Sequence, residues 1–416
     1  MLGISGLIAA IADERSVRSE KRIAAIGAVP YAASSDAWFA LSNLSLPTKL
    51  GTVASLAGDQ KSVKHSTKII AAYNQKYVPT IGMFILFFTG CKPATKTPIN
   101  PFSKVIIESV IEDPILNIRA LEIDKHTLKA VSSIGNIYSY DSKTNQVSLD
   151  RVSKDTLNFR SSAIVESTYF TLTIGSPAYL FKDKKLVYNE IHPAVFYDAL
   201  HFWNSKEGIA IGDPIDGCIS VVITRDGGQT WKKMPCESLP PALEGEAAFA
   251  ASDTNIAIVG NDTWVATGGR SSRVLYSLDK GHSWEVFETP IVQGLETTGM
   301  YSIDFYDALN GFAIGGDYTK SKNSYSNKIR TNDSGSTWEV VAQDQSPGYR
   351  SCVQYVPNSN AKGLVAVGFE GVDYSSDAGS TWKHLSDKGF YTLRFLNDSI
   401  AFAAGKGKLS KLTFRK

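Results

Sequence analysis

The sequence predicts an all-β fold made from one repeated four-stranded unit, on three observations. An eight-residue phrase, Ser/Thr-x-Asp-x-Gly-x-Ser/Thr-Trp, occurs four times: "TRDGGQTW" from Thr224, "SLDKGHSW" from Ser277, "TNDSGSTW" from Thr331 and "SSDAGSTW" from Ser375. Each copy lies between two short strand-like runs, such as "CISVVI" before and "KKMP" after. A second phrase recurs upstream, as "LHFWNSKEGIAIGD" (200–213), "IDFYDALNGFAIGGD" (303–317) and, loosened, "VQYVPNSNAKGLVAVGFEG" (353–371). The unit therefore reads strand, turn, strand, loop, strand, box turn, strand, repeating every ~45–55 residues. Such units set around an axis make a β-propeller.

Along the chain, "FSKVIIESVI" (102–111) is a strand with no unit of its own. Two units without a good box start at Ile118 and Phe159, and four boxed units follow. The last unit, "YTLRFLNDSIAFAAGKGKLSKLTF" (391–414), lacks an outer strand. The spare strand would supply it, joining the two ends of the domain and closing the ring. The expectation is one seven-bladed β-propeller over 102–414.

Each box residue has a structural reason to be there. Asp226, Asp279, Asp333 and Asp377 can bond the backbone of a tight turn. Gly228, Gly281, Gly335 and Gly379 permit positive φ. Trp231, Trp284, Trp338 and Trp382 bury a large ring beneath it. The boxes are expected to hold blades together rather than to carry chemistry.

Composition narrows the function classes. The 416 residues carry 43 basic and 41 acidic side chains, a formal charge of +2, and only short basic clusters such as "FKDKK" (181–185). A nucleic-acid partner is not indicated. No Gly-x-Gly-x-x-Gly follows a strand, no cysteine spacing suits haem or an iron–sulfur cluster, and no His-Glu-x-x-His occurs. Neither a cofactor nor a metal is expected.

The run "KYVPTIGMFILFFTGC" (76–91) is shorter than the ~20 residues of a comfortable membrane span. It has the proportions of a signal-peptide hydrophobic region. Its end resembles a bacterial lipobox, which implies lipidation of Cys91, an envelope location and attachment to the membrane by lipid alone. Residues 92–101 ("KPATKTPINP") then read as a tether, and residues 1–75 as an over-extended gene start or a disordered segment. A buried strand ending at a chance cysteine is the alternative for 76–91. Cys218 and Cys236 flank the first box symmetrically, so a disulfide between them is feasible in an oxidising compartment.

A candidate site lies where the innermost strands begin. Aligning the units at that point brings Arg119, Arg160, Tyr197, Glu246, Tyr301, Arg350 and Tyr391 into one register. Loops expected on the same face add Asp213, Arg270, Arg273, Asp317 and Tyr318. Long polar side chains are not what core packing asks for. Arginine forks suit carboxylate or phosphate, and tyrosines give stacking area with a hydroxyl. The register is either a pocket for an anionic group or a set of Arg–Glu and Arg–Tyr contacts that plugs the axis.

The boxes, "IAIGDPIDG…TRDGGQTW" and the lipidated single-propeller layout together resemble the Asp-box (BNR-repeat) propellers. Among these the photosystem II stability/assembly factor family is nearest, with sialidases and sortilin-type receptors more distant. The resemblance spans 102–414 and implies the fold more than a function. It implies a monomeric, non-catalytic module that binds an envelope protein or glycan through the Arg/Tyr face. The alternative it implies is a sialidase-like glycoside hydrolase, with Tyr301 and Glu246 as nucleophile and base and Asp213 or Asp317 as acid. No Arg-Ile-Pro-like motif stands at the domain start, where sialidases carry their first arginine.

Overall fold

The computed structural model describes residues 101–416. The expectations for Cys91, the run 76–91 and residues 1–75 fall outside the described residues. The first strands are β1 (Lys104–Asp124), β2 (Thr127–Ser132), β3 (Asn136–Asp141) and β4 (Gln146–Arg151). A four-stranded sheet follows: β5 (Phe159–Val165), β6 (Thr168–Thr173), β7 (Ala178–Lys182) and β8 (Lys185–Glu190). The next is β9 (Tyr197–Phe202), β10 (Gly208–Ile215), β11 (Cys218–Thr224) and β12 (Lys232–Lys233). Then come β13 (Glu246–Ala247), β14 (Ile256–Val259), β15 (Asp262–Ala266), β16 (Gly268–Gly269), β17 (Arg273–Ser277) and β18 (Glu285–Glu288). Of these, β14, β15, β17 and β18 form a sheet, and β13 pairs with β16. Two more sheets are β19 (Met300–Phe305), β20 (Gly311–Gly315), β21 (Lys328–Thr331), β22 (Glu339–Val340), and β23 (Cys352–Tyr355), β24 (Leu364–Gly368), β25 (Gly371–Ser375), β26 (Lys383–Ser386). The chain ends with β27 (Thr392–Phe395) and β28 (Ile400–Arg415).

This is an all-β propeller, with one correction to its count. Five sheets have four strands, and one has six in the order β27-β28-β1-β2-β3-β4, which makes six blades among the described residues rather than seven. The reason lies in β1. Its first half pairs with β28 from Lys104↔Arg415 to Glu112↔Lys408, and its second half pairs with β2 from Ile118↔Ser132 to Asp124↔Thr127. One strand thus serves as the outer edge of the last unit and the inner edge of the first, fusing them. Phe102 stacks on Phe414 at 5.1 Å beside Tyr374 and pins the closure.

Burial follows each strand's distance from the axis. Middle strands such as β11, "CISVVIT", and β24, "LVAVG", are buried along their whole length. They are covered on both faces, so they read as continuous apolar runs. The outermost strand β4 is exposed at every residue. The core therefore lies in wedges between neighbouring sheets, as where Phe170 and Leu172 of one sheet meet Leu200, Val222 and Trp231 of the next.

Antiparallel order gives the ring two sides. Turns between first and second, and third and fourth, strands of a sheet fall on one side, with the four box phrases; sheet-to-sheet connections fall on the other, the loop side. In all four phrases the leading Ser/Thr hydroxyl accepts from the Gly N–H, at 2.7–3.0 Å. The Asp carboxylate accepts from the backbone N–H and the hydroxyl of the later Ser/Thr.

The same turns also join neighbouring sheets. The carbonyl of the residue between Asp and Gly accepts each time from a side chain of the preceding sheet. The four pairs are Lys182 Nζ to Gly227, Arg225 Nη2 to Lys280, Trp264 Nε1 to Ser334 and Arg330 Nη1 to Ala378. At Gly228 and Gly379, with φ of +73° and +83°, a Cβ would overlap the rings of Phe170 and Phe312 from that preceding sheet. Glycine is needed there for the left-handed backbone and for the close approach.

Candidate functional site

The axis of the propeller is filled by the chain itself. Between β13 and β14 the segment 248–255, "AFAASDTN", leaves the strand path, and each of its residues is buried. Arg119 of β1 donates to the Ala251 carbonyl at 3.3 Å, and Arg160 of β5 to the Ala250 carbonyl at 3.4 Å. The Asp253 carboxylate accepts the N–H groups of Ser162 on β5 and Leu200 on β9, at 2.8 and 3.0 Å. Thr254 donates to Ser302 on β19, Ser252 donates to the Ser351 carbonyl beside β23, and Thr392 of β27 donates to the Ser252 carbonyl. One short stretch thus bonds to the innermost strand, or its immediate neighbour, of every other unit. Small residues make this possible, because a run of Ala and Ser fits where larger side chains would collide.

Around this hub sit the seven residues of the aligned register, each 5% exposed or less. The structure gathers them near the axis but builds them into the interior. The Arg350 guanidinium holds Asp373 of β25 through Nε and Nη2, both at 2.6 Å, and donates from Nη1 to the Tyr349 carbonyl. Arg119 lies over the Tyr391 ring at 4.0 Å. The Tyr197 hydroxyl donates to Glu190 at 2.6 Å, and that carboxylate also takes Lys233. Glu246 is bound by Arg273 through Nη2 at 2.7 Å and Nε at 3.2 Å, by the Thr267 hydroxyl and by the Leu243 N–H. The Tyr301 hydroxyl donates to the Thr297 carbonyl at 3.0 Å. Its ring stacks on Phe249 at 4.0 Å within a cluster that includes Tyr318 and Tyr349. Asp213 accepts the Ala248 N–H, Asp317 accepts from the Thr319 N–H and hydroxyl, and Arg270 lies near Glu244 at 3.7 Å.

A second polar register, absent from the sequence reading, lies toward the box side of the axis. It comprises Glu122, His201, Asp304, Gln354 and Arg394, three or four residues along each innermost strand, all half-buried. Arg394 pairs with Glu122 at 3.1 Å and donates to the Asp253 carbonyl. Asp304 accepts the N–H groups of Phe305 and Tyr355; burial outweighs these bonds and pushes its carboxyl up to about 7. Burial also raises the carboxyls of Asp253 and Glu122, against the pull of Arg394, and lowers His201 to about 4. The polar spacing within "RALE", "DALH" and "TLR" was the available signal.

On the loop side, Cys218 and Cys236 form a disulfide that secures the connection leading into β13. The Pro241 carbonyl from that connection accepts from Arg273 at 2.9 Å, completing the Arg273–Glu246 cluster. A cavity opens further round, between loops 289–299 and 316–327. Among the described residues no group of three or more His, Cys, Asp or Glu is placed to hold a metal ion.

No family model and no curated protein matches the sequence. Solved structures do match. The structure titled YCF48 bound to D1 peptide has a TM-score of 0.53 at 12% identity, covering 78% of this chain and 100% of that one. The RRP9 WD40 repeats have a TM-score of 0.52 at 11% identity, covering 76% of this chain and 99% of that one. This chain shares their propeller fold. At such identities the likeness extends to the fold and no further.

Proposed function

We propose that this chain is a non-catalytic binding or assembly-helper propeller of a bacterial envelope, tethered by lipid at Cys91, whose protein partner docks on the loop side. The observation that carries the reading is the filled axis. Segment 248–255 occupies the place where a propeller would hold a small substrate, and Arg350 and Glu246 are committed to Asp373 and Arg273. The Arg/Tyr register thus acts as a plug that fixes the shape of the surrounding loops. The hydrolase alternative needs Glu246 to activate Tyr301, and that carboxylate already accepts from Arg273, Thr267 and Leu243. The four box turns are read as Asp-boxes, and the chain as similar to the photosystem II assembly factor family. One neighbour in fold binds a peptide, by its title, and this supports a protein partner.

The chain enters its first strand at Lys104, paired with Arg415, on the box side. A tether from Cys91 would then hold the box side toward the membrane and leave the loop side facing away. Metabolic labelling with a lipid probe should mark the wild type and vanish in Cys91→Ala. Labelling that persists, or turnover of a sialoside or aryl-glycoside by the purified chain, would overturn the corresponding half of this reading.

A further inference from the structure

Two consecutive connections on the loop side end in the same exposed turn. The first runs Leu243-Glu244-Gly245-Glu246 into β13, and the second Leu295-Glu296-Thr297-Thr298 toward β19. In each, the leucine N–H donates to the fourth side chain, Glu246 Oε2 at 2.9 Å or Thr298 Oγ1 at 3.0 Å. In each, the N–H of the fourth residue returns to the leucine carbonyl at 3.1 Å. These bonds use the leucine backbone and the fourth side chain. They ask nothing of the leucine side chain or of the glutamate after it. Yet both turns carry Leu-Glu there and turn it outward. Leu243 and Leu295 are 44% and 53% exposed, and Glu244 and Glu296 are exposed beside them. A single exposed leucine needs no explanation, but the same pair in the same place on adjacent units does.

The two turns are held side by side. β16 lies between them, with the Gly269 N–H donating to the Thr298 carbonyl at 2.7 Å and the Arg270 N–H to the Gly245 carbonyl at 2.9 Å. Two strand spacings therefore separate them, roughly 10 Å. Arg273 fixes Glu246 beneath the first turn, and the Cys218–Cys236 disulfide secures the connection that leads to it. A preformed surface avoids much of the ordering cost of binding.

The surface around the turns is acidic. Asp216, Glu237, Glu244, Glu288 and Glu296 are all exposed there, and Arg270 is the exposed cation among them. The turn of Asp216 joins the first connection through the Ala242 N–H, which donates to the Gly217 carbonyl at 2.8 Å. Arg270 stays 3.7 Å from Glu244, whose side chain is 94% exposed, so that carboxylate remains open to a second cation. Lys320 and Lys322 stand exposed on the next loop, 316–327, and bound the acidic surface on that side.

We infer that the twin Leu-Glu turns dock an extended, basic protein segment that presents two apolar–cationic pairs three residues apart. An extended chain rises about 3.3 Å per residue, so three residues match the gap between the turns. Each turn leucine covers an apolar side chain, and each turn carboxylate takes the Lys or Arg beside it. The inference rests on the loop-side reading of function and names the partner's chemistry.

The test uses the full chain and fluorescein-labelled decapeptides of Gly and Ser carrying Leu-Lys-Ser-Leu-Lys. Leu-Glu-Ser-Leu-Glu and Ser-Lys-Ser-Ser-Lys versions are the controls. Anisotropy is read at low and high salt. The Leu-Lys peptide should bind, and weaken with salt. Both controls should bind at least about tenfold more weakly. Glu244→Lys and Glu296→Lys should each cost about fivefold, and together more than about twentyfold. Leu243→Ser with Leu295→Ser should cost about tenfold and leave the salt dependence in place. Melting should hold in all of these, because the turns are closed by the leucine backbone and not by these side chains. Equal binding of Leu-Lys and Leu-Glu peptides, binding untouched by the paired reversals, or no binding by any peptide would overturn the docking site. If Tyr325→Asp, on the next loop, abolishes binding while the paired reversals do not, the turns fall and the loop-side reading stands. If Leu278→Asp, on the box side, is the change that abolishes it, both fall.

Discussion

Replacing Arg350 by Ala separates a plug from a ligand site. In the structure its guanidinium makes two contacts of 2.6 Å to one Asp373 oxygen and a third to the Tyr349 carbonyl. The two side chains are 5% and 2% exposed. Removing one partner of a buried pair costs about 3–5 kcal/mol, mostly through the charge left behind. His384 still bonds the other Asp373 oxygen at 2.9 Å, so the lower end applies. Unfolding entropy of about 2 cal/mol/K per residue, over roughly 310 residues, turns 3 kcal/mol into a fall of about 5 °C in Tm. Arg350→Met keeps most of the volume and should fall as far, since the loss is of charge pairing. In Arg350→Ala/Asp373→Ala the losses should be less than additive by about 2 kcal/mol. Differential scanning calorimetry of the wild type, Arg350→Ala, Arg350→Met, Asp373→Ala and the double variant is the assay. An Arg350→Ala protein that melts with the wild type but loses tenfold or more in partner binding would refute the plug.

Gly228→Ala should destabilise by roughly 2–4 kcal/mol, combining a left-handed backbone with overpacking against Phe170; urea denaturation would check it, and a neutral result would dissociate the box turn from the joint between sheets. Asp304 sets a pH dependence. Its carboxyl is raised to about 7 in the fold, so the folded state holds a proton that the unfolded chain releases near 4. Its contribution to stability is full below about pH 4 and is lost as pH rises through about 7. Tm should therefore decline from pH 6 to 8, and Asp304→Asn should flatten that decline. The box aspartates act oppositely: burial alone would raise Asp226, but bonds from Thr230, Thr224 and Gln229 prevail and hold it at about 2. Their contribution is present above about pH 4 and is lost as pH falls toward 2, an acid limb that circular dichroism should resolve. Reducing Cys218–Cys236, which closes a loop of 18 residues, should cost about 3 kcal/mol in a melt.

The legible part of the fold was what repeats. Box phrases and alternating runs marked third and fourth strands, because an Asp-turn and a buried Trp demand the same residue types each time. The closure was legible too, since the spare strand 102–111 does pair with the last unit. The merging of the first and last units into one six-stranded sheet was not. It depends on β1 continuing past Pro114 from one unit into the next, which residue types alone do not reveal. Alignment at the strand starts did bring Arg119, Arg160 and Arg350 to the axis, yet it could not say what faced them. Their partners come from elsewhere in the chain: Ala250 and Ala251 from the stretch aligned as the fourth unit's innermost strand, which leaves the strand path after Ala247, and Asp373 from a third strand. A departure from the repeat, "AAFAASDTN", was the one local sign that the axis would be filled.

On the proposed reading the loop side meets a protein partner, while the axis and box side do not. Site-specific photo-cross-linking in intact cells tests it most directly. A photoreactive residue would replace Leu295 or Tyr325 on the loop side, or Leu278 or Leu309 on the box side; all four are 53–56% exposed. A discrete protein adduct is expected from Leu295 and Tyr325 and none from Leu278 and Leu309. Adducts confined to the box-side positions would contradict it.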